Sequence, residues 1–159
     1  MRTIVLCAAS AALLTACAGG GGDTITALPR DIAANARVAD VTVAVPADSS
    51  PELAAALQTR ISGKLGACAM GSRPLNLQVT ITEFHSGNAA ATFLVGSSNN
   101  IRGSARLVDP ATGAVVGDYE INRSVGGGGL IAMAAMANSQ NQMGDAFGEE
   151  ICNQAFPHR

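Results

Sequence analysis

From Leu75 to Thr82 the chain alternates strictly. Leu75, Leu77, Val79 and Ile81 are apolar, and Asn76, Gln78, Thr80 and Thr82 are polar. A period of two puts each set on its own face, which predicts a half-buried strand. Upstream, Leu53, Leu57, Ile61 and Leu65 recur every fourth residue and draw an apolar stripe along a helix, with Gln58, Arg60 and Lys64 on its other side. Ser49-Ser50-Pro51-Glu52 supplies the chemistry of a helix start, and Gly66 its end. Val38, Val41, Val43 and Val45 predict a strand before that helix, closed by Pro46. Further on, Ile101, Ala105 and Leu107 share one face of a third strand, against Arg102, Ser104 and Arg106. Asp109-Pro110-Ala111-Thr112-Gly113 predicts a turn, because proline presets one backbone angle and glycine supplies a left-handed one. Val115, Tyr119 and Ile121 share a face of a fourth strand that runs to Arg123. Gly126 to Gly129 break the pattern. From Leu130 to Phe156 the chain reads as one long helix, with Met136, Met143, Phe147 and Ile151 near helical spacing.

The predicted fold class is therefore α/β (α+β), in the order strand, helix, strand, strand, strand, helix. One mixed four-stranded sheet with both helices on one face buries all the apolar stripes. The strand–helix–strand unit is expected to be parallel. If its strands run upward, the third strand runs down and the fourth up. Both helices then start at the upper end of the domain and finish at the lower.

The first twenty residues have a different pattern. One charge at Arg2 is followed by an apolar run from Ile4 to Leu14, as in an export signal. The run is too short to span a bilayer, which takes roughly 20 residues. It closes in Leu14-Thr15-Ala16-Cys17, which resembles the bacterial lipobox. That resemblance implies cleavage before Cys17 and lipid on its thiol. The alternative is ordinary signal cleavage, which Ala16-Cys17-Ala18 also fits and which would release a soluble protein from Gly19. On the lipoprotein reading, residues 1–16 are a signal peptide and 17–37 a lipidated cysteine with a flexible Gly-rich tether. Residues 38–156 are then a single domain. By resemblance to proteobacterial lipoproteins, in which an aspartate after the cysteine favours the inner membrane, Ala18 implies the outer membrane, on its periplasmic face.

Removal of 16 residues leaves 143, enough for one core. Losing Arg2 leaves 9 basic against 12 acidic side chains. With no basic patch, one tyrosine and no tryptophan, a nucleic-acid surface is not expected. Cys7 leaves with the signal. Cys68 and Cys152 remain as an even pair in a compartment that permits disulfides, without a CxxC neighbour that would suggest zinc or redox chemistry. The topology places both at the lower ends of the two helices, so a Cys68–Cys152 disulfide is expected. The alternative is two separate small buried residues.

Leu77-Gln78-Val79-Thr80-Ile81-Thr82-Glu83-Phe84, the stretch Arg106-Leu107-Val108-Asp109 before Ala111-Thr112-Gly113, the Gly126–Gly129 run and a closing helix together resemble an uncharacterised family of proteobacterial envelope lipoproteins. The resemblance spans roughly residues 38–156. In architecture the chain is also similar, more distantly, to the lipoprotein domain of the curli secretion channel. The family implies a small α/β envelope domain and supplies no activity or catalytic residues.

Candidate chemistry is sparse. Glu83 and His85, two apart on a strand, share a face and could form an acid/base or metal pair, but a zinc site needs three or four ligands, and the other histidine, His158, sits in the C-terminal tail. The ordinary outcome is a solvated strand-end histidine. Glu149-Glu150 reads as a solvated helix face. The glycine run has no GK[ST] after it, and Ser97, Ser98, Ser104 and Ser124 lack an elbow motif or partner base. No cofactor or metal is expected. The leading expectation is a non-enzymatic, membrane-anchored lipoprotein that binds another envelope protein or its own copies. The alternatives are a subunit of an outer-membrane export or assembly machine, and a hydrolase with an unrecognised site. The expected working surface is the upper end, where the loop bearing Phe93, Leu94 and Val95 meets the helix start at Leu130, Ile131 and Met133.

Overall fold

The computed structural model describes residues 20–86, 97–127 and 138–156. Its elements are β1 (Gly20–Thr26), α1 (Arg30–Asn35), β2 (Ala36–Ala44), α2 (Pro51–Cys68), β3 (Arg73–His85), β4 (Ser97–Val108), β5 (Val115–Gly127) and α3 (Ser139–Ala155). The strands form one sheet in the order β1-β5-β4-β3-β2. β2 and β3 are parallel, and the other neighbours are antiparallel. With β3 running up, β2 and β5 run up and β4 and β1 run down. The directions expected for the central strands therefore hold.

Both long helices pack on one face. Leu53, Leu57, Ile61 and Leu65 of α2 and Met143, Phe147 and Ile151 of α3 are buried against Leu75, Leu77, Val79 and Ile81 of β3 and Ile101, Ala105 and Leu107 of β4. Gly103 occupies the remaining core-facing slot of β4. A Cβ there would lie 2.4 Å from the carbonyl oxygen of Thr80, so only glycine permits this approach of β4 to β3. The helices run parallel and close together. A Cβ on Gly144 would lie 2.8 Å from Cβ of Arg60, and one on Gly148 would lie 2.9 Å from Cβ of Lys64. Arg60 pairs with Asp145 across the same seam.

Several expectations need correction. The sheet has five strands, not four. Residues 17–37 were expected as a tether, yet Gly20, Gly21 and Gly22 begin β1, paired with Arg123, Asn122 and Ile121 of β5. Two contacts hold this glycine-rich strand in place. Gly22 lets the Gln154 side chain lie on it, since a Cβ would come within 2.2 Å of Gln154 Nε2. The Leu28 N–H donates to Tyr119 Oη at 2.9 Å, and Leu28 itself is buried. Burial pushes the Tyr119 phenol above its ordinary value, and the Leu28 bond offsets part of that.

The Val38-to-Val41 spacing of three contains a β-bulge. β2 shifts register between Val38 and Asp40, so Val38 faces Leu75 and Val41 faces Leu77 on the core side. A second shift, between Leu107 and Val108 against β5, sets Gly117 opposite Leu107 and Val115 opposite Val108. Val115 is therefore exposed, not a core residue like Tyr119 and Ile121. Gly117 leaves the room that the Tyr119 ring occupies, 3.1 Å from where a Cβ would stand. Gly126 and Gly127 do not break β5 but pair with Ser98 and Ser97. Likewise α2 runs past Gly66 to Cys68. The described part of the last helix starts at Ser139, and residues 130–137 lie outside the described residues.

The turn after β4 forms as its sequence dictates. Ala111 N–H donates to Asp109 Oδ1, Gly113 N–H donates to the Asp109 carbonyl, and Gly113 has φ +71. Arg73 donates to Asp109 Oδ2 at 2.8 Å, and that bond, followed by the Ala111 one, holds the carboxyl below the usual aspartate range.

Cys68 and Cys152 form the expected disulfide, with Cα atoms 5.8 Å apart. It joins the last residue of α2 to the lower part of α3, across 84 residues of sequence. A cross-link over a loop of that length contributes about 4–5 kcal/mol in the chain-entropy description. Replacing both cysteines with serine is expected to lower the unfolding free energy by about that amount, read from urea titrations of the oxidised protein and the double variant.

Candidate functional site

The expected interaction residues Phe93, Leu94, Val95, Leu130, Ile131 and Met133 lie outside the described residues, as does Cys17. Their points of attachment are described. The 87–96 segment leaves after β3 and returns at Ser97, and the 128–137 segment leaves after Gly127 and returns before α3. Both join the fold at the upper end, where β3 and β5 finish and β4 and α3 begin. β1 also starts at this end, at Gly20.

A cleft of about 340 Å³ opens there between the start of α2 and the end of β3, lined among others by Asp48, Ser50, Leu53, Glu83, His85 and Gln140. Within it His85 Nδ1 stands 3.3 Å from Glu83 Oε1, and Arg102 Nη1 is 3.8 Å from Glu83 Oε2. A Glu83–His85 contact, which their shared strand face left open, is thus present. It forms in water: the two side chains are 70% and 41% exposed. Solvent at this exposure screens the pair and leaves it with little energy. Among the described residues no group of three or more His, Cys, Asp or Glu is placed to hold a metal ion.

Beneath this end lies a polar linkage that the sequence reading missed. Arg123 of β5 donates through Nη1 to Glu150 Oε2 of α3 at 3.1 Å, with side-chain exposures of 16% and 13%. Gln154 Nε2 donates to Glu150 Oε1 at 2.9 Å, and Thr24 of β1 donates to Gln154 Oε1 at 3.3 Å. The chain Thr24–Gln154–Glu150–Arg123 ties β1, α3 and β5 together. Glu149 is exposed as expected, whereas Glu150 belongs to this linkage. Its four-residue spacing to Gln154 was the available signal.

The uncovered face of the sheet is polar. Arg106 Nε of β4 meets Asp118 Oδ2 of β5 at 3.2 Å, between direct register partners. Beside them a depression of about 500 Å³ is lined by Gly21, Asp23, Arg102, Glu120 and Asn122. The outer strands β1 and β2 leave both sheet edges without a strand partner among the described residues. Ile25, at the bulge of β1, is 60% exposed. No helix among the described residues is long and apolar enough to cross a membrane.

No family model matches the chain, and no curated protein matches it. Solved structures do. A PelC dodecamer from Paraburkholderia phytofirmans aligns with a TM-score of 0.53 at 15% identity, over 86% of this chain and 99% of that one. A PelC variant dodecamer from the same organism aligns with a TM-score of 0.48 at 17% identity, over 86% and 98%. A candidate lipoprotein from Caulobacter crescentus CB15 aligns with a TM-score of 0.43 at 19% identity, over 69% and 84%. At these identities the first of the three defines a shared fold.

Glu150→Ala would leave the Arg123 guanidinium with little water and no carboxylate. It is expected to cost about 3 kcal/mol, against less than about 0.5 kcal/mol for the neighbouring Glu149→Ala, measured by chemical unfolding of the two variants side by side.

Proposed function

We propose that this chain is a non-enzymatic cell-envelope lipoprotein, anchored by lipid on Cys17 and working as an assembled ring of its own copies. The observation that carries the reading is the fold shared with PelC, a dodecamer, across 99% of that chain. Leu14-Thr15-Ala16-Cys17 supports the anchor, and Ala18 supports the outer membrane. A disulfide agrees with an oxidising compartment.

The sheet supports self-association with a specific geometry. β1 and β2 are its two edges and run in opposite directions. When copies follow one another head to tail, β1 of one copy meets β2 of the next in the antiparallel sense. Each contact then satisfies the exposed N–H and C=O groups of both edges. Such a heterologous contact closes into a ring when the rotation per copy divides a full turn.

Two measurements test these statements. Labelled palmitate is expected to enter the wild-type protein and not Cys17→Ser; equal labelling, or equal release of both forms as soluble protein, would remove the anchor. Light scattering on the detergent-solubilised protein is expected to give one discrete mass, a fixed multiple of the chain. Lysine at the exposed edge positions, Ile25→Lys with Ala39→Lys, is expected to give monomers with an unchanged melting temperature. A wild-type monomer at all concentrations would refute the ring.

A further inference from the structure

We infer that the upper end of the sheet, at Ser98 of β4 and Gly126 of β5, is the surface that lies against a phospholipid bilayer. The inference rests on the lipid anchor at Cys17 and adds to it the orientation of the domain.

Reach sets the orientation. On sequence alone Cys17 is followed by a glycine-rich tether long enough to let the domain turn freely. In the fold the tether is almost absent. Gly20 is already paired with Arg123, so only Ala18 and Gly19 separate the lipidated cysteine from a hydrogen-bonded strand. The three chain steps from Cys17 to Gly20 span at most about 10 Å. From the level of Arg123 the β4–β5 ladder continues upward for four more residues, to Gly127 opposite Ser97. Four strand residues rise about 13 Å. Even at full extension from Gly20, the linker therefore lifts Cys17 no higher than the tip of this ladder. Acyl chains attached there enter a bilayer only if the bilayer comes down to the tip.

The opposite end cannot make this contact. The Asp109–Gly113 turn lies at the foot of β5, and Gly113 is ten residues below Arg123 along the chain. At strand spacing that is over about 30 Å from the level of Gly20, three times the reach of the anchor. The other geometric option is a sheet lying sideways, with β1 along the membrane and Ile25 against it. That option conflicts with edge-to-edge assembly, which occupies β1. The side chains described at the upper end suit a headgroup layer. Ser98 and His85 are exposed, Asn100 is half-buried, and all are polar. They offer hydrogen bonds to phosphate and glycerol oxygens and do not demand burial among acyl chains.

Site-directed quenching on the full lipidated protein tests the orientation. Ser98→Cys, Glu120→Cys and Thr112→Cys each introduce one free thiol, because Cys17 carries lipid and Cys68 and Cys152 are joined; Glu120 is exposed on β5, opposite Asp23 of β1 and off the sheet edge. Each variant is labelled with a fluorophore and reconstituted into vesicles of phosphatidylethanolamine and phosphatidylglycerol containing a headgroup nitroxide lipid. Mass spectrometry of the Cys17 peptide accompanies each sample. The expected result is quenching several-fold stronger at Ser98 than at Thr112, with Glu120 close to Thr112. Quenching at Glu120 equal to that at Ser98 would mean that the β1 side of the sheet lies on the membrane. Equal quenching at all three positions would mean a freely tumbling domain. Either result, on protein whose Cys17 is shown to carry lipid, overturns the orientation alone. Protein that neither carries lipid nor sediments with vesicles overturns the anchor, and the orientation with it.

Discussion

Two helices must cover one whole face of a five-stranded sheet, and they do so by lying side by side at glycine-closed distance. Gly144 and Gly148 make that possible, because a methyl group at either position would run into the stems of Arg60 or Lys64. The consequences spread from this seam. With the helices so close, Leu57, Ile61 and Leu65 on one and Met143, Phe147 and Ile151 on the other form a single apolar layer. Phe147, the largest core side chain beside Tyr119, is fully buried in that layer. The seam also brings Cys152 to Cys68, and it turns Glu150 towards β5 and Gln154 towards β1. The disulfide and the buried ion pair thus secure the lower half of α3 from two sides.

Much of this was legible in the sequence because it follows from periodicity. Strict alternation in β3 and a four-residue repeat in α2 specify which face is buried without reference to any partner. The pairing of Cys68 with Cys152 followed from strand directions alone. What could not be read shares one trait: each feature is dictated by something distant in the chain. Gly20 to Gly22 have no intrinsic preference for a strand, and they form one because β5 has an open edge and Gln154 needs a flat surface. Val115 keeps the alternation on paper, but a bulge opposite Leu107 turns it outward. Glu150 looks like any surface glutamate until Arg123 is placed beneath it. In contrast, the odd spacing of Val38 and Val41 was a visible trace of a bulge.

The candidate site was less legible than the fold. The exposed Glu83–His85 pair followed from strand geometry, yet it stands in water and carries little energy. The informative features are geometric ones: two edges of opposite direction, a polar open face and an end where several chain segments join. None of these is a motif. They arise from topology, which a single sequence encodes only through all its elements at once.

The ladder between β1 and β5 also bears on how the molecule forms. It joins Gly20 to Arg123, residues about a hundred positions apart, whereas the strands of the β3–β4–β5 meander pair with near neighbours. Contacts between distant residues carry a larger loop-closure cost and form later. The meander can therefore collapse first, with β5 as a temporary outer strand whose hydrogen-bonding groups are open to any extended chain. The earliest part of the domain to be synthesised is then the last to be fitted, and until it arrives the half-formed sheet offers the same edge to a neighbour of its own kind.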